Sequence, residues 1–172
     1  MGGYYQVSCR DCDYEQIIAN SSDYAYRLPN PPDVFLWSQF AWCNTCDNIV
    51  KAEHLQLPEE TERWVKDCAN QYLLRDAERY QEILRTRISP PRCLHCGDVD
   101  IIAALKHSLG TTEPTWTVTH LACGGELVIG YKIYARLPCE TKVYTPEGQF
   151  LERIPGILLP GQGYGGIEWQ QF

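Results

Sequence analysis

The chain has 172 residues, of which 44% are hydrophobic and 22% charged, which is apolar content enough for a compact core and too much for a disordered polypeptide. Its formal net charge is -7, and acids outnumber bases in each of the segments 1–57, 58–88 and 89–172, which argues against a protein that coats DNA or RNA through Lys and Arg on phosphates. An acidic chain more naturally meets a basic protein partner.

The opening "MGGYYQVSCR" has neither a basic leader nor an apolar core of a signal peptide. Gln6 stands where a myristoylation pattern wants Ser or Thr, and no apolar run approaches the ~18 residues that a spanning helix needs. The expectation is a cytoplasmic protein without membrane contact.

In chain order, "YYQVSC" and "YEQIIAN" flank a first C-x-x-C, "CRDC", while "DVFLWSQFAWC" and "NIVKAEHL" flank a second, "CNTC". These flanks are rich in aromatic and β-branched residues and predict two hairpins. Between them "SSDYAYRLPNPPD" is polar and proline-rich and predicts a loop, whose Tyr24, Tyr26 and Arg27 are either exposed binding residues or packing over a small sheet.

From Pro58 to Ser89 the pattern predicts one long helix. Pro58 suits the first helical position, Glu59, Glu60 and Glu62 suit its positive end, and Arg85 and Arg87 its negative end. Pro90 and Pro91 stop it. Trp64, Cys68, Tyr72, Leu73, Ala77, Tyr80 and Leu84 form an apolar stripe, which makes Cys68 a core residue. The stripe lacks the sustained heptads of a coiled coil, so the expectation is a monomer or weak dimer.

Beyond the helix come a third pair, "CLHCG", and then "HLACGGEL". "TWTVTHLAC" and "ELVIGYKIYARL" alternate as strands around the latter, and "KVYTPEGQFLERI" predicts a hairpin turning at Pro146, Glu147 and Gly148. The glycine-rich end, "GILLPGQGYGGIEWQQF", is a tail that docks on its own domain or on a partner.

The chain holds nine cysteines, and six of them fall into the three C-x-x-C pairs. A knuckle with two intervening residues brings two donors to one ion, and two knuckles complete a tetrahedron for zinc. Taken in sequence order, Cys9, Cys12, Cys43 and Cys46 form one set. Cys93, Cys96, His120 and Cys123 form the other. Gly97 and Gly124 follow knuckle residues where positive φ is favoured and backbone N–H groups point at thiolates. Two structural zinc ions are expected. The separations between knuckles are long, which leaves cross-pairing open, and Cys139, His95, His54 and His107 are spare donors. Redox C-x-x-C chemistry and disulfides are the rival explanations; repeated pairs with His-x-x-Cys fit the first poorly and an intracellular setting disfavours the second.

Through "CRDC", "CNTC", "CLHCG" and "HLACGGEL" both halves resemble zinc ribbons, in which two knuckles at hairpin tips clamp one ion. That resemblance implies structural metal on the eight residues named above and a binding surface on the strands. The expected fold class is therefore α+β, with two small β-rich zinc-ribbon-like modules joined by and packed on one long α-helix. The boundaries are 1–57 for the four-cysteine module, 58–89 for the bridging helix, 90–155 for the module with three cysteines and one histidine, and 156–172 for the tail.

Full coordination points to structure rather than catalysis, and no H-E-x-x-H, G-x-S-x-G, P-loop or dinucleotide motif occurs. The expectation is a non-enzymatic protein-interaction module, in its concrete form an acidic inhibitor or immunity-type partner of a basic effector or toxin. A zinc-ribbon nucleic-acid or transcription factor is the second expectation, with Trp37, Trp42 and Trp116 stacking on bases and Arg75, Arg79, Arg85 and Arg87 as a helix patch. A redox or metal-dependent enzyme is the third.

Overall fold

A computed structural model describes residues 2–20, 22–30, 32–55, 71–107, 115–135, 140–159 and 163–165. Cys68, Cys139 and the expected helix start at Pro58 lie outside the described residues. The described residues contain fourteen strands in four sheets and one helix. The described residues are thus predominantly β, and the expectation of an α+β fold built on a long bridging helix is overturned.

The chain divides into two compact units, each assembled from three separate stretches. The first comprises Met1–Ser21, Gln39–Ala52 and Arg92–Pro138; the second comprises Ser22–Ser38, Glu53–Pro91 and Cys139–Phe172. Neither unit coincides with a contiguous module over 1–57 or 90–155.

In the first unit, β1 (Gly2–Cys9) and β2 (Glu15–Asn20) form a hairpin. A second antiparallel run is made by β8 (Leu105–His107), β9 (Thr115–Thr119) and β10 (Glu126–Ala135). Strands β1 and β10 pair, so the five-stranded order is β2-β1-β10-β9-β8. A three-stranded sheet consists of β6 (Asn48–Glu53), β5 (Ser38–Cys43) and β7 (Ile101–Ala103), with β5 in the middle. The alternation read in these strands puts one face of each sheet into a shared core of Val7, Phe40, Trp42, Ile49, Val118, Leu127 and Ile129. Tyr5, Phe40 and Trp116 meet edge to face at its margin, with centroids 4.7 to 6.0 Å apart.

The second unit carries a four-stranded sheet of β12 (Phe150–Pro155), β11 (Glu140–Tyr144), β3 (Ser22–Tyr26) and β4 (Val34–Phe35), in that order. The stretch expected as a loop is therefore partly a strand. Tyr26 is fully buried, while Arg27 bonds Asp33 and Glu152. Strand β3 runs parallel to β11, Ser22 opposite Glu140, which explains why distant segments belong to one unit. The hairpin at Pro146, Glu147 and Gly148 forms as expected, with Gly148 at φ 80° and its N–H donating to Thr145 O. The tail begins with a hairpin of β13 (Ile157–Leu159) and β14 (Gly163–Gly165).

The described helix, α1 (Gln71–Thr86), lies wholly within this second unit. Its buried face of Asp76, Ala77, Tyr80 and Ile83 follows the helical period, but its cover comes from the same unit. The Tyr80 ring stacks on Tyr26 at 5.9 Å and meets Trp37 edge-on at 4.7 Å. Among the described residues, the first unit's core is built from strand residues packed on one another, and the helix contributes none of them.

Candidate metal centres

All eight expected ligands belong to the first unit and gather into two clusters, but not in sequence order. Cys9, Cys12, His120 and Cys123 form centre 1, and Cys43, Cys46, Cys93 and Cys96 form centre 2. In each, the donor atoms lie within 4.8 Å of one another. The pairing expected from sequence order is replaced by an interleaved one.

Strand register explains the interleaving. The Cys9–Cys12 turn joins β1 to β2, and the His120–Cys123 turn joins β9 to β10. Because β1 pairs with β10, Cys9 stands opposite Leu127, and the Arg10 N–H donates to Glu126 O at 3.0 Å. The two turns must then meet at one end of the sheet. In centre 2 the Cys43–Cys46 turn joins β5 to β6, and residues 93–96 lead into β7. Cys43 pairs with Ile101, the Asn44 N–H donates to Asp100 O at 3.1 Å, and Ala52 bridges Cys93.

The turns share one backbone device. The Gly97 N–H donates to Cys93 O at 2.9 Å, and the Gly124 N–H donates to His120 O at 2.8 Å. Both glycines have positive φ, 82° and 74°, as expected, although their N–H groups serve carbonyls rather than thiolates. Asp47 takes the same place after Cys46, at φ 49°. The thiolate bonds come from neighbours: Asp11 N–H to Cys9, His95 and Cys96 N–H to Cys93, and Gly125 N–H to Cys123, at 3.3 to 3.5 Å.

The donor geometry fits a tetrahedral ion. With metal–sulfur bonds of about 2.3 Å, a tetrahedron has edges near ~3.8 Å. Cys9 and Cys12 lie 3.5 and 3.6 Å from Cys123, sulfur to sulfur, and Cys43–Cys96 and Cys46–Cys93 are 3.6 and 3.8 Å apart. His120 Nδ1 lies 3.4 Å from Cys12 Sγ and 3.2 Å from Cys123 Sγ. A disulfide would bring two sulfurs to about 2.05 Å, and the seven described cysteines are free.

Electrostatics points the same way. The Asp11 amide, aided by His120 and the nearby sulfurs, pulls the Cys9 thiol down to about 6 against desolvation. At Cys12 the Tyr14 amide favours the thiolate, but desolvation and the sulfurs of Cys123 and Cys9 outweigh it and push the thiol up to about 11. In centre 2, burial and then the sulfurs of Cys96 and Cys43 raise Cys46, while burial carries Cys93 up to about 11 against two backbone N–H groups. Thiolates this close cannot all ionise without a cation among them.

His95 and His54 belong to neither cluster. Two features escaped sequence reasoning. His120 is buried between the rings of Tyr14 and Trp42, at 4.7 and 5.3 Å. Gly125 makes a close approach, since a Cβ there would stand 3.0 Å from Cys9 Sγ. The second glycine of "CGGEL" was the available signal for the latter.

No protein-family model, no curated protein and no solved structure matches the chain. Among the described residues, no helix is long and apolar enough to cross a membrane.

Proposed function

We propose that the chain is a non-enzymatic interaction protein whose first unit is held together by two structural zinc ions and whose acidic surface receives a basic protein. The observation that carries the structural role is the completeness of both donor sets: four soft or borderline donors each, with tetrahedral edges. A catalytic zinc ordinarily keeps three protein ligands and an open position. Three thiolates with one imidazole, and four thiolates, select zinc over hard cations such as magnesium or calcium.

Charge supports the partner class. The chain's formal charge is -7, and zinc centres with three and four thiolates add about -1 and about -2. In its concrete form the protein is an inhibitor or immunity-type partner that covers a basic effector such as a nuclease.

Most of the groups named for nucleic-acid binding make contacts within the chain. Arg87 is buried on Glu53, Arg79 donates to Asn30 O, and Arg85 pairs with Glu82. Trp42 is buried in the core, and Trp37 packs on Tyr80.

Capture of partners by tagged protein in chelator-free buffer tests the proposal. A basic protein bound at one to one, released by salt and lost on metal removal, is the expected result. Retention of a random oligonucleotide at low salt, or turnover of a thiol substrate, would overturn it.

A further inference from the structure

The hairpin that carries the first knuckle of centre 2 also forms the wall behind the histidine of centre 1. Trp42, the residue before Cys43, lies with its ring 5.3 Å from His120. Asn48 and Ile49, just beyond Cys46, hold the other side. The Tyr14 hydroxyl donates to Asn48 Oδ1, Gln16 Nε2 donates to Ile49 O at 3.2 Å, and the Tyr14 ring sits 4.7 Å from His120. The β5–β6 hairpin thus makes three separate contacts with one ligand and its surroundings, one from β5 and two from the start of β6.

Centre 2 is tied by bonds among its own segments. The Cys93 N–H donates to Asp98 O, Leu94 N–H to Lys51 O, and Asn44 N–H to Asp100 O. Thr45 Oγ1 donates to Asp98 Oδ2 across the two knuckles.

We infer that metal loading is hierarchical: centre 2 organises the β5–β6 hairpin, and that hairpin, through Trp42 and Tyr14 as positioning residues, orients His120 so that centre 1 can close. The inference rests on the reading of both clusters as metal centres. Imidazole is the one ligand of centre 1 with a ring to misalign. Rotation of that ring moves Nδ1 away from the point that the three sulfurs define, and a buried ring turns only if its walls give way. Loss of order in the Cys43–Cys46 turn removes one wall directly and the anchor of the other.

The test uses the full chain, freed of metal under reducing conditions and titrated with cobalt(II). A four-thiolate site and a site with three thiolates and one imidazole differ in their d–d and charge-transfer bands. Wild type is expected to take two equivalents. His120→Ala/Cys123→Ser is expected to keep one, with the four-thiolate spectrum. Trp42→Leu is expected to weaken centre 1 by tenfold or more, the usual effect of losing a group that orients a ligand, with the four-thiolate bands unchanged. Trp42→Phe is expected to restore it.

Cys93→Ser/Cys96→Ser is expected to hold well under one equivalent. A full equivalent there with the imidazole-type spectrum, or a Trp42→Leu protein that weakens both centres equally or neither, would overturn the hierarchy. Fewer than two equivalents in wild type would instead refute the metal reading on which it rests.

Discussion

Gly125 lies against Cys9 so closely that a Cβ on Gly125 would stand 3.0 Å from Cys9 Sγ, 2.6 Å from Asp11 Oδ2 and 2.8 Å from Asp11 Cβ. The Asp11 carboxylate can swing aside, but its Cβ moves only with the knuckle backbone. Gly125→Ala is therefore expected to cost about 1–3 kcal/mol and to loosen metal at centre 1. Gly97→Ala meets open space and pays only for its φ of 82°, about 1–2 kcal/mol, with centre 1 untouched. Urea melts alongside metal-competition titrations separate the two. Equal metal affinity in both variants would contradict the close approach.

In the second unit Glu53 and Arg87 form a buried ion pair, 2.5 Å between Nη2 and Oε2. Arg87 also donates to the Tyr26 hydroxyl and to the carbonyls of Ser89, Pro90 and Pro146. Arg87→Met strands the Glu53 carboxylate away from water and is expected to destabilise by about 3–5 kcal/mol in denaturant titration. Adding Glu53→Leu removes the orphaned charge, so the double variant is expected to recover much of that loss. A double variant no better than the single one would place the cost in lost packing instead.

Tyr26 and Tyr80 resist ionisation, first because they are buried and second because Glu53 holds negative charge beside them. Their folded pKa values lie above the unfolded value near ~10, so the fold holds the phenol proton where the unfolded chain releases it. Stability is fully present below that value and is lost as pH rises beyond it. The urea midpoint is expected to fall between pH 9 and 11, with the phenolate absorbance of these two residues appearing only on unfolding. Tyr26→Phe is expected to flatten that pH dependence; an unchanged slope would remove Tyr26 from the account.

Chelation should act on one unit. Both centres lie in the first unit, so metal removal is expected to raise hydrogen exchange in β1, β5 and β10 while β11 and β12 keep their protection. Uniform loss of protection would show that the two units do not respond separately.

The eight candidate donors that cluster were legible in the sequence because a C-x-x-C or H-x-x-C turn is a local device, set by its two donor residues and their close neighbours. The turn glycines at 97 and 124 and the hairpin at Gly148 were legible for the same reason. Which knuckles meet was not, since that depends on β1 pairing with β10 and β5 with β7, contacts between residues well over a hundred and about sixty positions apart. The helix was read from a true period at Ala77 and Tyr80, but periodicity says only that a face is covered, not by what. Tyr26 looked like loop because its strand pairs with β11, far along the chain.

The interleaved pairing of the eight ligands is the claim most open to direct measurement, by scalar correlation between cadmium-113 and protons in the cadmium-substituted protein. One cadmium is predicted to couple to the Hβ protons of Cys9, Cys12 and Cys123 and to the ring of His120, and the other to those of Cys43, Cys46, Cys93 and Cys96. A cadmium that couples to Cys9, Cys12, Cys43 and Cys46 together would contradict the strand register from which both centres are built.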